Sequence, residues 1–198
     1  NPTQYAKIDD AYLAKLPAGK KGELGPAPAN VEPWMAMDYG PSLLNTYEVG
    51  GPGPNIVYKG IAVRLDSGAG GVSRGKSWAL FDHDVLRFAA AWTGDGFIDW
   101  KGIHFNGQHQ VHPKLIGERH VETPAGPGWA DPETGSFKDP RSLGRDRRPY
   151  GPLPRKWARF RGTYAYGDQT VIAYTVGDAD ILEVEGAESD GKKGTVFT

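Results

Sequence analysis

From Asn55 onward the chain alternates apolar and polar residues with a period of two. In "NIVYKGIAVRLD", Ile61, Val63 and Leu65 fall on one face and Ala62 and Arg64 on the other, the pattern of a strand. "SWALFDHDVLRFAAAW" alternates again, setting Leu86, Phe88, Ala90 and Trp92 against Val85, Arg87, Ala89 and Ala91. A helix competes for 85–92. The Asp95-Gly96 pair that follows is a hairpin signal and favours two strands, the return strand running over 97–105. The segment 156–186 is the clearest: "KWARFRGTYAYGDQTVIAYTVGDADILEVEG" reads as three strands joined by two Gly-Asp turns, an antiparallel meander.

The remaining segments are less regular. "IDDAYLAKL" (8–16) has the spacing of one short amphipathic helix, and the Pro/Gly-rich 17–33 has no element. "MAMDYGPSLLNTYEV" (35–49) ends in a possible strand. "SGAGGVSRGKS" (67–77) ends in Gly-Lys-Ser but lacks the glycine spacing of a phosphate loop and precedes a strand, so it reads as a flexible hairpin loop. Residues 109–154 are dominated by loop, dense in Asp and Arg, where local ion pairs are expected. The predicted fold is all-β: an antiparallel two-sheet β-sandwich, jelly-roll-like, with long Pro/Gly-rich loops and a short N-terminal helix. Residues 1–54 form an irregular extension packing on a domain over 55–198.

Composition fits this fold. The 28 Gly and 16 Pro supply turns, and the six Trp and nine Tyr suit pleated surfaces and binding faces. A formal net charge of -1 gives no field for nucleic acid or acidic membranes, and no apolar run is long enough to span a bilayer. The absence of cysteine excludes disulfides, zinc–thiolate sites and covalent haem attachment within this chain. The chain opens on Asn1, which reads as a processed or trimmed terminus.

Four of the five histidines, His104, His109, His112 and His120, lie within 103–120. His109 and His112, with a carboxylate such as Asp99 or Glu118, are candidate metal ligands. The spacing is not that of a helical zinc motif, and rings capping backbone groups or stacking on aromatics are the competing reading. Trp92, Asp95, Asp99, Trp100 and Trp129 combine flat apolar faces with planar polar groups, as sugar recognition requires. Trp92 and Trp100 are equally well placed to pair across strands in the core, whereas Trp129, in a Pro/Gly loop, is the better candidate for an exposed platform. Asp82 and Asp84, flanking His83, share a face if extended and offer a cation or acid–base pair, with a turn as the plainer explanation.

The stretches "MDYGP" (37–41), "KGIAVRL" (59–65), "LFDHDVLRFAAAWTGDGFIDWKGIHFNGQH" (80–109), "HPKLIGE" (112–118), "TPAGPGWADPETGSFKDPR" (123–141) and "YGPLPRKWARFRGTYAYGDQTVIAYTVGDADILE" (150–183) carry a resemblance. Together they resemble a domain found toward the N-terminus of large exported bacterial proteins, the PVC-type haem-binding CxxCH proteins. There it accompanies a propeller similar to sugar dehydrogenases and a c-type cytochrome module. The resemblance implies a periplasmic or extracellular location and haem c in a neighbouring domain, never in this chain. It supplies no functional residues. It leaves His83 and His104 as departures from the family pattern and His109 and His112 within it.

The leading expectation is a non-catalytic accessory module that binds a polysaccharide or sugar, or docks neighbouring domains. Trp129, His109, His112, Asp99 and Trp100 would line its binding end. The alternatives are a metal-dependent enzyme built on His109, His112 and a carboxylate, and a ligand-free interdomain scaffold.

Overall fold

Extended, β-branched and aromatic-rich runs separated by glycine turns fold into a mostly β chain. The computed structural model describes residues 32–50, 54–100, 112–189 and 195–198, with Ala11 and Ala14. The chain divides into two units, 1–30 and 31–198, and every strand described here belongs to the second. The helix expected over 8–16 and most of the return strand over 97–105 lie outside the described residues.

Among the described residues seven strands form the main sheet: β1 (Ser42–Glu48), β2 (Ile56–Arg64), β3 (Ser77–Asp82), β4 (Arg87–Thr93), β5 (Ile98–Asp99), β6 (Lys114–Leu115) and β7 (Glu118–Glu122). Their order is β5-β6-β1-β2-β3-β4-β7. The sheet's first strand therefore precedes residue 55. The sheet is mixed, because β1 and β6 pair in parallel while its other neighbours are antiparallel. A second sheet holds β8 (Ala158–Tyr166), β9 (Gln169–Val176) and β10 (Ala179–Glu183), and β11 (Ala187–Ser189) pairs with β12 (Thr195–Phe197). The meander is as the sequence reads: Gly167 and Gly177, at φ 60° and 55°, take the left-handed turn positions ahead of Asp168 and Asp178.

Asp95-Gly96 does not make a hairpin. β4 pairs with β3 and β7, and β5 pairs with β6 at the far edge. The connection from Thr93 to Ile98 reaches at most roughly 18 Å, whereas five strand spacings in a flat sheet are roughly 24 Å. The sheet must curl to let the chain make that step. Trp92 Nε1 donates to the Phe97 carbonyl across the step, at 3.1 Å. The real hairpin joins β3 to β4 through 83–86, with Leu86 held at φ 50°.

The β4 alternation breaks at one residue. Leu80 pairs with Ala90 but Phe81 pairs with Phe88, leaving Ala89 as a bulge. One extra residue swaps the faces beyond it, so Phe88 and Trp92, which strict alternation puts together, point to opposite sides. Trp92 has Trp78 as its cross-strand partner, stacked at 5.5 Å, rather than Trp100.

The curled sheet is covered on both faces. Inside the curl lie Tyr47, Val57, Ala62, Trp78, Leu80, Trp92 and Phe97. On the outer face Ile61, Val63, Phe81 and Val85 pack with Trp157, Ile172 and Tyr174, drawn partly from the second sheet. Trp157 and Leu153 belong to the segment leading into β8. Gly60 is required inside: a Cβ there would sit 2.8 Å from Leu80 Cδ1 and 2.5 Å from the Tyr47 ring. The glycine loop 67–77 is clamped. Arg64 donates to Asp66 and to the carbonyls of Ser67, Gly68, Ala69 and Gly71, while Trp78 Nε1 donates to the Val72 carbonyl.

Candidate functional site

The β3–β4 hairpin turn brings three charged side chains inward. Asp82 ends β3, Arg87 starts β4, and Asp84 lies between them; each is less than 10% exposed. Arg87 Nη2 meets Asp82 Oδ2 at 3.3 Å and Asn55 Oδ1 at 3.1 Å, while Nη1 donates to the carbonyls of Thr123 and Pro124. The hairpin, the start of β2 and the loop after β7 are thus tied to one guanidinium. Burial pushes the Asp82 carboxyl up and the Arg87 guanidinium down, in each case more strongly than the partner's charge opposes it.

These groups line a narrow pit of about 60 Å³, closed by Pro54, Ile56, Tyr58, Ala125, Gly126, Arg141, Arg148 and Pro149. A neighbouring groove of about 440 Å³ shares Pro54 and Ala125 with it and adds Asn55, Glu122, Thr123 and Pro124. The loop 123–128 is pinned over the hairpin, with Gly128 N–H donating to the Val85 carbonyl at 2.9 Å. A Cβ on Gly128 would collide with the Leu86 carbonyl oxygen.

The rim is aromatic and polar. The Tyr58 and Tyr150 rings lie 4.7 Å apart with their hydroxyls 3.0 Å apart, and the His112 ring meets Tyr58 edge-on at 6.1 Å. Tyr150 donates to Asp146 at 2.6 Å, and Arg148 Nη1 donates to the Tyr58 hydroxyl at 3.3 Å. The hydrogen bonds to Asp146 and then to Tyr58 raise the Tyr150 hydroxyl. Burial pushes the His112 imidazole below the usual histidine range. The expected loop ion pairs are present as two Asp-x-Arg turns, Asp139–Arg141 at 2.8 Å and Asp146–Arg148 at 3.8 Å. In both, the arginine backbone N–H donates to the aspartate.

One buried polar group on the pit's lining is unpaired. Arg87 Nε–H is buried with no acceptor. Asp84's backbone N–H is taken by Asp82, yet no donor among the described residues reaches the Asp84 carboxylate. The lining therefore carries a buried donor without a partner and a carboxylate acceptor, and a ligand hydroxyl can accept from the one and donate to the other.

The other sequence candidates are dispersed. Trp129 is 41% exposed, faces Tyr174 at 6.3 Å, and lends its carbonyl to Trp157 Nε1; it does not line the pit. Trp100 packs against Trp34, Tyr39 and Phe97. Asp99 sits in β5 opposite Lys114. His83 packs on Phe160 and His120 pairs with the Thr93 hydroxyl, so these rings and His112 have separate partners. His104 and His109 lie outside the described residues, where no geometry bears on a His109/His112 pair. Among the described residues no group of three or more His, Asp or Glu side chains is placed to hold a metal ion.

Sequence reasoning weighed Asp82 and Asp84 but missed Tyr58, Arg87, Arg148 and Tyr150. The two Asp-x-Arg turns ahead of "PYGP" were the available signal for the last pair.

The family model described as Domain of unknown function (DUF6797) matches residues 79–183, more than half of the chain. That span holds the hairpin, the pit's arginines and the meander. No curated protein and no solved structure matches the chain.

Proposed function

The chain belongs to the DUF6797 family, and we propose that it is a non-catalytic module that binds carbohydrate at the pit of Asp84 and Arg87. The observation that carries this reading is a buried donor without a partner, Arg87 Nε, in a pit whose lining also holds the Asp84 carboxylate, which no described donor reaches. A desolvated donor without a partner is costly, and a sugar hydroxyl can accept from it while donating to a carboxylate. The pit's about 60 Å³ admits a hydroxyl or hydroxymethyl group and not a ring. The ring then lies outside, against Tyr58 and Tyr150 with His112 beside them, or in the adjoining groove. Arg148 and the tyrosine hydroxyls supply further polar contacts at the rim.

The wider setting follows the resemblance noted in the sequence. In this reading the module is exported to the periplasm or cell exterior, its two larger sheets act as the layers of a sandwich, and haem belongs to a neighbouring domain. A chain without cysteine is compatible with that division of labour. Calorimetric titration against a panel of polysaccharides and oligosaccharides tests the binding function. Saturable heat with at least one glycan is expected, and silence across the panel overturns it.

Docking to a neighbouring domain is a second role, favoured by one surface. Tyr164, Tyr166 and Leu182 on β8 and β10 are 61%, 79% and 73% exposed, a large aromatic and aliphatic share for an outer sheet face. In a longer parent protein, amide exchange of β8 and β10 should be slower than in the isolated chain. Equal exchange argues against docking there.

A further inference from the structure

A second group of unpaired polar atoms lies well away in the chain from the hairpin pit, beyond the end of β10. Glu185 is 8% exposed and neither of its carboxylate oxygens has a hydrogen-bond partner; Thr170, on β9, is 2% exposed and its hydroxyl has none either. Both line a cavity of about 230 Å³ together with Asp66, Asp168, Glu188 and Arg64. A second cavity of about 310 Å³ lies against the same Glu185, walled by Leu65, Phe88, Val121 and Phe197 with Glu183 at its edge. Leu65, Glu185, Gly186 and Thr198 line both cavities, so the carboxylate stands where they meet.

The charge there is one-sided. Among the described residues, four carboxylates line the smaller cavity against a single cation, Arg64. That guanidinium is already committed to Asp66 and four loop carbonyls. The cavity on the other side of Glu185 is the one walled mainly by large apolar side chains, Leu65, Phe88, Val121 and Phe197. An anion is repelled by this arrangement. A neutral hydroxyl brings one proton to a carboxylate with two unpaired oxygens. Divalent metal ions need several oxygen ligands gathered around one point, and no group of three or more such acidic or imidazole side chains exists among the described residues.

We propose that Glu185 and Thr170 form the floor of a second binding site, which takes a primary ammonium group carried on a short apolar stem. The ammonium has three N–H donors, enough for both Glu185 oxygens and the Thr170 hydroxyl. Its stem lies along Leu65, Phe88, Val121 and Phe197. Burial first, and the Glu183 charge second, push the Glu185 carboxyl up to about 7, as expected for a buried acid with no cation paired to it among the described residues. A free alkylamine and a lysine side chain share this chemistry.

The test is a titration of the whole chain at pH 8, followed through the amide resonances of Thr170, Glu185 and Gly186. Three probes are compared: n-butylammonium chloride, Nα-acetyl-lysine methylamide and n-butanol. Both amines should shift these resonances saturably, with the tighter one identifying a small-molecule or a peptide source, and n-butanol should bind much more weakly. Glu185→Gln, which keeps the side-chain shape and whose amide spectrum reports folding, should weaken amine binding about tenfold or more, and Thr170→Val several-fold. No saturable shift with either amine overturns the proposal. So does equal affinity in Glu185→Gln, or n-butanol binding as well as n-butylammonium, which would leave a plain apolar cavity.

Discussion

Arg87 and Asp82 face each other at the two ends of the β3–β4 turn, 3.3 Å apart, with side chains 4% and 8% exposed. The pair is buried, and its geometry is tied to the loop after β7 through the other guanidinium bonds. Removing one partner leaves a buried, uncompensated charge or forces it to change protonation. Arg87→Met should destabilise the fold by about 3–5 kcal/mol in urea unfolding, and Asp82→Asn should be milder because an amide still accepts a hydrogen bond. An Arg87→Met variant as stable as the parent would show the hairpin closes without this ion pair.

Gly60 offers a test of the curl. A Cβ there meets the Tyr47 ring and the Leu80 methyl inside the sheet. Tyr47 cannot swing aside cheaply, because its hydroxyl donates to the Leu43 carbonyl at 2.7 Å. Gly60→Ala should cost about 1–3 kcal/mol through overpacking, measured by urea unfolding. A neutral or stabilising effect would mean β1 and β3 have room to move apart.

Glu185 makes stability fall as pH rises. Its carboxyl is raised in the folded chain from 4.5 to about 7, so folding favours the protonated form. The stabilising contribution is full below about pH 4.5 and is lost as pH rises through about 7. The charged groups around it are Glu183, Asp66, Asp168, Glu188 and Arg64, and none supplies a donor. Glu185→Gln mimics the protonated form. Unfolding free energies of variant and parent should agree near pH 4.5 and diverge above pH 7, with the variant more stable by on the order of 3 kcal/mol. A difference independent of pH would remove the buried acid from the account.

Much of the fold was readable along the chain, and the misreadings share a cause. The meander over β8–β10 follows from local signals, because each turn carries its own Gly-Asp and each strand its own alternation. The faces of β2 were also readable, since Ile61 and Val63 share a core distinct from that of Ala62. Asp95-Gly96 looked like a hairpin because turn chemistry says nothing about which strand comes next; the curl that separates β4 from β5 is a property of the whole sheet. The Ala89 bulge is equally silent in sequence, and it alone reverses the face of Phe88 relative to Trp92. The candidate site was legible only where one residue type stood out. Histidines and tryptophans drew notice, yet the described histidine rings have separate partners and Trp129 does not line the pit. The pit is assembled from Tyr58, Asp84, Arg87 and Arg148, brought together from β2, a turn, β4 and a distant loop. No local pattern announces a meeting of residues so far apart in the chain.

The sugar-binding account stands most directly on the calorimetry of one glycan, chosen from the panel, against three proteins. With the parent chain it should give saturable heat. Asp84→Ala, confirmed folded by its amide spectrum, should bind about tenfold more weakly or not at all, whereas Trp129→Ala, whose ring faces Tyr174 away from the pit's lining, should bind as the parent does. Unchanged affinity in Asp84→Ala, or loss confined to Trp129→Ala, would contradict it.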